Sequence, residues 1–215
     1  MVGSILKHVV PAFIIKQRLK IKGSILFTFD DGPHPEITPR VLDVLDRYGA
    51  RGLFFISGNR IIKSPKVIQE IICRKHGIGN HGFTHTPCSK LSFRENMTEI
   101  NKCKDELLTH SGILTNLYRP PKGIVTPSLI FAAWRCKYKI VRWSLDSGEC
   151  SYMQNATSYA LADNFLKKIH DRAIVLSHDT KDTVPGFLKL VLPRLLDEGF
   201  DLQKGLLSLR WSQNS

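Results

Sequence analysis

Ser24-Ile25-Leu26-Phe27-Thr28-Phe29-Asp30-Asp31-Gly32-Pro33 begins as an apolar run and ends in two adjacent carboxylates and a Gly-Pro pair. The run reads as a buried strand, and Gly32-Pro33 forces the chain to turn directly after it. Burying one carboxylate is costly without a cation or hydrogen-bond donors, and two side by side repel. Asp30 and Asp31 therefore each need a different partner. One binding a metal and the other working as a base is the natural division. Taken alone, the same residues also suit a solvated turn, so their reading depends on what the rest of the chain brings to them.

Outward from this stretch the chain alternates strands with helices. Residues 37–48 carry Ile37, Val41, Leu42, Val44 and Leu45 at helical spacing, and Gly49 stops them. Residues 52–57 are a second apolar strand, followed by a helix opening at Ser64-Pro65. Residues 78–80 form a short strand before His81, and Ser92-Phe93-Arg94-Glu95 is a capping box. Leu117-Tyr118, residues 139–143, residues 173–177 and residues 200–202 complete seven predicted strands, with helices after Thr126-Pro127, over 158–169 and over 185–198.

Seven strands separated by helices predict a parallel sheet, because parallel neighbours need crossovers. Asp30 and Asp31, His81 and His85, Arg119, Asp146 and His178 all fall just past the C-terminal ends of successive strands. That rim is where βα barrels and open α/β sheets both place their sites. No Gly-rich phosphate turn follows the first strand, so the expectation is an α/β fold closed into a distorted (β/α) barrel of about seven units.

The length of 215 residues suits a single catalytic domain over 24–215, and no repeat or linker marks a boundary. Lys and Arg outnumber Asp and Glu by 31 to 19, a formal charge of +12 that favours anionic partners. No aromatic-interleaved RNA-binding motif accompanies the basic residues, which argues against nucleic acid. Residues 1–23 mix Ile5, Leu6, Val9, Val10, Phe13, Ile14 and Ile15 with basic side chains, a pattern suited to packing beneath the barrel or to peripheral contact with an anionic membrane. Five cysteines without a C-x-x-C pair predict reduced thiols, and no signal peptide or membrane span is legible. A cytoplasmic protein, at the inner membrane face if the N-terminus touches lipid, is the expectation.

His81 and His85 stand four apart, close enough to grip one ion, and one aspartate from the first strand completes a three-ligand site with an open position for water. A non-haem iron oxygenase would use a similar set, but its H-x-D pair is missing.

Taken together, Thr28-Phe29-Asp30-Asp31-Gly32-Pro33, His81-Gly82-Phe83-Thr84-His85, Arg119-Pro120-Pro121-Lys122-Gly123, Trp143-Ser144-Leu145-Asp146-Ser147-Gly148-Glu149 and Leu176-Ser177-His178 resemble the five ordered motifs of the NodB-type polysaccharide deacetylases, carbohydrate esterase family 4. The resemblance covers roughly residues 24 to 202. It implies a NodB homology domain and metal-dependent removal of acetyl groups from N-acetylated amino sugars. By the same resemblance Asp31, His81 and His85 hold a divalent metal, zinc first with cobalt, nickel or manganese as alternatives. Asp30 is then the base and His178 the acid, Arg119 steadies an acid near the base, and Asp146 joins the catalytic set. The Lys122 backbone N–H would face the oxyanion, with Pro121 and Trp143 beside the substrate.

Three positions depart from the family pattern. Gly82 stands where Ser or Thr is common, Lys122 where Tyr is usual, and Asp146-Ser147-Gly148-Glu149-Cys150 replaces D-x-x-D-W. These changes bear on rate and substrate more than on reaction type. The leading expectation is a deacetylase of N-acetylglucosamine-containing oligo- or polysaccharide. A lipid-linked amino sugar at the cytoplasmic membrane face and a non-catalytic carbohydrate-binding relative are the alternatives. The intact Asp30, Asp31, His81, His85 and His178 argue against the last.

Overall fold

Residues 26–30 alternate side chains across the sheet, as any strand must, and both faces are buried, which is why the run is apolar nearly throughout. The structure, a computed structural model, describes residues 15–209, so the first 14 residues of the N-terminal segment lie outside it. The strands are β1 (Ile15–Lys16), β2 (Leu26–Asp30), β3 (Gly52–Ile56), β4 (Gly77–Asn80), β5 (Leu117–Tyr118), β6 (Lys139–Val141), β7 (Leu145–Asp146) and β8 (Ile174–His178). Their order in the sheet is β1-β6-β5-β4-β3-β2-β8-β7, and every pairing is parallel. The sheet curls into a distorted α/β barrel, as expected, with β1 and β7 at the ends of the strand order.

The curl separates the apolar packing inside the sheet from that outside it. Leu26, Leu53, Phe55, Leu117, Val141 and Ile174 fill the lumen, while Phe27, Phe29, Phe54, Ile56 and Val175 face outward beneath the helices. The outer layer is built from α1 (Ile37–Arg47), the single turn α2 (Gly58–Ile61), α3 (Pro65–Cys73), α4 (Phe93–Ser111), α5 (Pro127–Arg135), α6 (Ser158–Leu166) and α7 (Thr183–Asp197). Phe27 meets Phe165 of α6 and Phe187 of α7 at centroid distances of 5.8 and 6.4 Å. Each such ring contributes about 1.5–3 kcal/mol by leaving water. The capping box forms as read, with Ser92 accepting from the Glu95 amide and Glu95 from the Ser92 amide. Ser64 occupies its N-cap without making the side-chain bond.

Three features differ from the sequence reading. Residues 200–202 do not form a strand. Ser24 and Asp201 make a single parallel bridge, after which Asp201 Oδ1 accepts the Gln203 and Lys204 amides at 2.9 and 2.7 Å. The aspartate thereby starts the short helix α8 (Lys204–Leu207), which carries Leu206 into the bottom of the lumen. The predicted strand over 139–143 ends at Val141, and the chain then re-enters the sheet as an additional strand, β7, beside β8. Finally, Ile15–Lys16 adds an edge strand on β6, and the chain then crosses to β8, where Arg18 bridges Ala173 and buried Leu19 donates its amide to the Arg172 carbonyl at 3.0 Å. Residues 15–23 thus line the base of the barrel.

Candidate active site

The strand register decides which side chains meet. Asp30 is the last inward position of β2 and His178 the last of β8, and their Cα atoms are register partners. Asp30 is buried, and its Oδ1 accepts from Arg119 Nη1 at 2.9 Å. Arg119 is itself fully buried: Nη1 also donates to the Thr28 hydroxyl at 2.6 Å and Nε to the Val141 carbonyl at 3.1 Å. Its guanidinium lies 4.2 Å over the Phe55 ring, and Phe55 fits there because a Cβ at Gly79 would stand 2.5 Å from that ring. Burial pulls the Arg119 pKa down and Asp30 works against that, so the pair is a desolvated ion pair held by hydrogen bonds on several sides.

Asp31 follows in the left-handed region at φ 70° and so points away from Asp30 toward the imidazoles. Its Oδ1 is 3.3 Å from His81 Nε2 and 2.9 Å from His85 Nε2, yet that buried oxygen has no hydrogen-bond partner. His81 Nδ1 is 2.8 Å from the Arg119 carbonyl, which assigns the ring proton to Nδ1 and leaves Nε2 as a lone pair. The ligand atoms of Asp31, His81 and His85 lie within 4.8 Å of one another, a donor set that fits a cation. Burial would push the Asp31 carboxyl up, but positive charge on the imidazoles, or a cation in its place, holds it below the usual carboxylate range.

The loop carrying the two histidines is fixed by a residue that the sequence reading passed over. Glu99 of α4 accepts the Phe83 and Thr84 amides at 3.0 and 2.8 Å and the Thr84 hydroxyl at 3.0 Å. Gly82 sits at φ 78° with its amide on Asn80 Oδ1 at 2.8 Å, so glycine suits the backbone there and the Glu99 carboxylate ties down the following amides.

His178 is backed by Glu149: Nδ1 to Oε1 is 3.0 Å. Ser177 donates to the same oxygen at 2.9 Å and Ser147 to the other. Burial lowers the His178 pKa, but the Cys150 thiol, the Glu149 carboxylate and the charge of Asp30 outweigh it and raise it to about 11. Asp146, expected in the catalytic set, accepts the amide of Gly148 in its own turn at 2.8 Å. It lines the cleft without a bond to the imidazole, and burial raises its pKa. The reason is the turn: Gly148, at φ 99°, reverses the chain so that Glu149 swings beneath His178.

These residues open on one cleft of about 420 Å³, lined by Asp30, Asp31, His81, His85, Lys122, Trp143, Asp146 and His178 with Gln154, Thr180 and Lys181. Lys122 takes the left-handed conformation at φ 60°, and Trp143 packs against Gly123, where a Cβ would stand 2.3 Å from the indole. Pro121 lies buried beneath, near Gly82. Behind the turn at Gly32, buried Asp179 accepts from the Thr38 hydroxyl at 2.5 Å, and burial pushes its carboxyl up to about 7. Neither Glu99 nor Asp179 belongs to a motif used in the sequence reading.

The profile of the polysaccharide deacetylase family matches residues 18–141, more than half of the chain. The peptidoglycan-N-acetylglucosamine deacetylase PgdA of Listeria monocytogenes is 30% identical over 184 residues, 86% of this chain and 38% of that protein. The peptidoglycan-N-acetylmuramic acid deacetylase PdaC of Bacillus subtilis is 28% identical over 178 residues, 83% of this chain and 37% of that protein. The chain therefore spans little more than a third of the length of these two relatives. The crystal structure of the Bc1960 peptidoglycan N-acetylglucosamine deacetylase matches with a TM-score of 0.87 at 24% identity, covering 99% of both chains, a likeness of fold. Profile, relatives and fold agree with the geometry of the cleft, and the chain belongs to the polysaccharide deacetylase family, the NodB-type carbohydrate esterases of family 4.

Proposed function

We propose that this chain hydrolyses the acetamide of N-acetylated amino sugars in a cell-wall glycan of the peptidoglycan type, releasing acetate and leaving a free amine. The observation that carries the reading is the pairing of Asp30 and His178 across β2 and β8, one backed by Arg119 and the other by Glu149, beside Asp31, His81 and His85. A divalent ion, zinc by preference for this donor set, would be held by Asp31, His81 and His85 and would supply Lewis acidity for water activation and carbonyl polarisation.

The protein's own groups divide the proton work. Arg119 occupies Asp30 Oδ1 and leaves Oδ2, 3.8 Å from His81 Nε2, turned toward the cleft as acceptor of the proton that the attacking water loses. His178, kept protonated by Glu149, gives its proton to the amide nitrogen as the bond to the acetyl carbon breaks. The Lys122 backbone turn and the Trp143 ring form the wall against which the acetamide and sugar settle. The names of the relatives support a peptidoglycan sugar, with N-acetylglucosamine the first choice.

The experiment is acetate release from a panel of N-acetylglucosamine oligomers, peptidoglycan fragments and lipid-linked N-acetylated sugars, before and after chelation and zinc return. Release from glycan, abolished by chelation and restored by metal, is expected. Release confined to the lipid-linked substrates would move the substrate to the membrane. No release from any member by metal-loaded protein would overturn the activity.

A further inference from the structure

The cleft holds a second set of metal-ligating groups opposite the first. Glu149, Cys150 and His178 each offer one ligand atom, and these atoms lie within 4.8 Å of one another. Tetrahedral zinc with one sulfur, one nitrogen and one oxygen donor needs ligand separations of roughly 3.4–3.7 Å, within reach of small side-chain rotations from this arrangement. The His178 Nδ1 to Glu149 Oε1 edge is 3.0 Å and would open slightly around an ion.

The cluster is anchored as ligand sets are. Ser147 and Ser177 donate to the two oxygens of buried Glu149, and the Ser147 amide donates to the Leu176 carbonyl at 3.0 Å, so the carboxylate is oriented by neighbours on β8. The turn is closed by the Ser151 and Met153 amides on the Gly148 carbonyl at 3.1 and 3.0 Å, which sets Cys150 on the cleft side. Cys150 is one of the departures from the family pattern, so the thiol is a property of this chain.

We propose that Glu149, Cys150 and His178 form a second, inhibitory site for a thiophilic divalent ion such as zinc, with the fourth position open to the cleft. The ion replaces two protons, one from the Cys150 thiol and one from the His178 imidazolium, so the charge of the cluster is unchanged. It takes the place of the proton between Nδ1 and Oε1. His178 is then a neutral imidazole whose remaining Nε2–H is a far weaker acid than the imidazolium, and excess zinc silences the enzyme while the first site stays filled. The inhibition rests on the role of His178 given above; the binding does not.

Two measurements test this, with zinc and cobalt as the probes. In excess zinc the wild-type chain is expected to bind two ions, Cys150→Ser one, and His85→Ala one. With cobalt, a near-ultraviolet thiolate-to-metal charge-transfer band is expected in wild type and in His85→Ala, and is expected to vanish when Cys150→Ser is added to either. Acetate release by wild type is expected to fall on the order of 10²-fold as the second ion binds, and Cys150→Ser, compared with its own rate at one ion, is expected to resist the same excess. Equal stoichiometry in wild type and Cys150→Ser, or a band that survives Cys150→Ser, overturns the site. A second ion that binds through Cys150 without loss of rate overturns the inhibition and leaves the site. Binding and spectrum are read without turnover, so a failure of the deacetylase reading is separable from a failure here.

Discussion

Replacing Glu149 by Gln tests the acid side of the reaction at nearly constant shape. Nδ1 of His178 and Oε1 of Glu149 are 3.0 Å apart and both side chains are almost wholly buried. Two unit charges at that distance in an effective dielectric of 20 attract by roughly 5.5 kcal/mol, about 4 pKa units. Burial acts against this on the imidazole, and Gln retains a polar contact, so a fall of about 2 to 4 units in the His178 pKa is expected. The basic limb of the kcat/KM profile for acetate release should move down by that amount, and imidazole NMR should follow the same titration. Stability carries a matching signature. The folded pKa of His178 is raised above its ordinary 6.5 and that of Glu149 lowered below its ordinary 4.5. The ion pair therefore stabilises fully between those two values, and its contribution is lost as pH rises through the folded His178 pKa or falls through that of Glu149. The urea midpoint of Glu149→Gln should trail wild type most near pH 5 to 6 and least at high pH. A basic limb displaced by less than about half a unit, with an unchanged imidazole titration, would refute the assignment of Glu149 as the partner that keeps His178 protonated.

Asp30→Asn should keep its metal while acetate release falls on the order of 10²-fold or more, read by metal analysis beside turnover. Arg119→Met leaves the buried Asp30 carboxylate without its counter-charge and should cost about 3–5 kcal/mol in urea unfolding. Gly123→Ala combines φ 65° with a Cβ 2.3 Å from the Trp143 ring, so a loss of about 1–3 kcal/mol and weakened glycan binding are expected, checked by unfolding and by KM. Deleting residues 1–14 leaves β1 and Leu19 in place, so activity on soluble substrate should persist while retention on anionic vesicles falls; equal retention would remove the membrane role of that segment.

Most of the cleft was legible in the chain because strands announce themselves by apolar runs and the site residues follow those runs directly. Asp30 after Phe29, His81 after Asn80, Arg119 after Tyr118 and His178 after Ser177 all stand at strand ends in the structure. Parallel strands then had to bring them to one rim. The motif at residues 81–85 likewise pointed two imidazoles at the acidic end of the first strand, and the structure brings them to Asp31. The weaker strands were less legible. Residues 145–146 and 15–16 are too short to show a period, and residues 200–202 look like a strand until the Asp201 side chain caps the helix after them.

What the sequence determined by itself is therefore the parallel α/β architecture and the placement of Asp30, Asp31, His81, His85, Arg119 and His178 on the same rim. Apolar periodicity and the position of a residue at the end of a strand are local properties, and they survive whatever the chain does elsewhere. Tertiary structure alone decided which carboxylate serves His178, because Asp146 and Glu149 are three residues apart and only the reversal at Gly148 sends one to the imidazole and the other to its own turn. It also decided that Arg119 is a buried ion-pair partner, that Glu99 of α4 ties down the His81–His85 loop, and that Asp179, just after β8, packs against the turn at Gly32. Those roles depend on contacts between residues 16 to 141 positions apart, and no pattern along the chain encodes them.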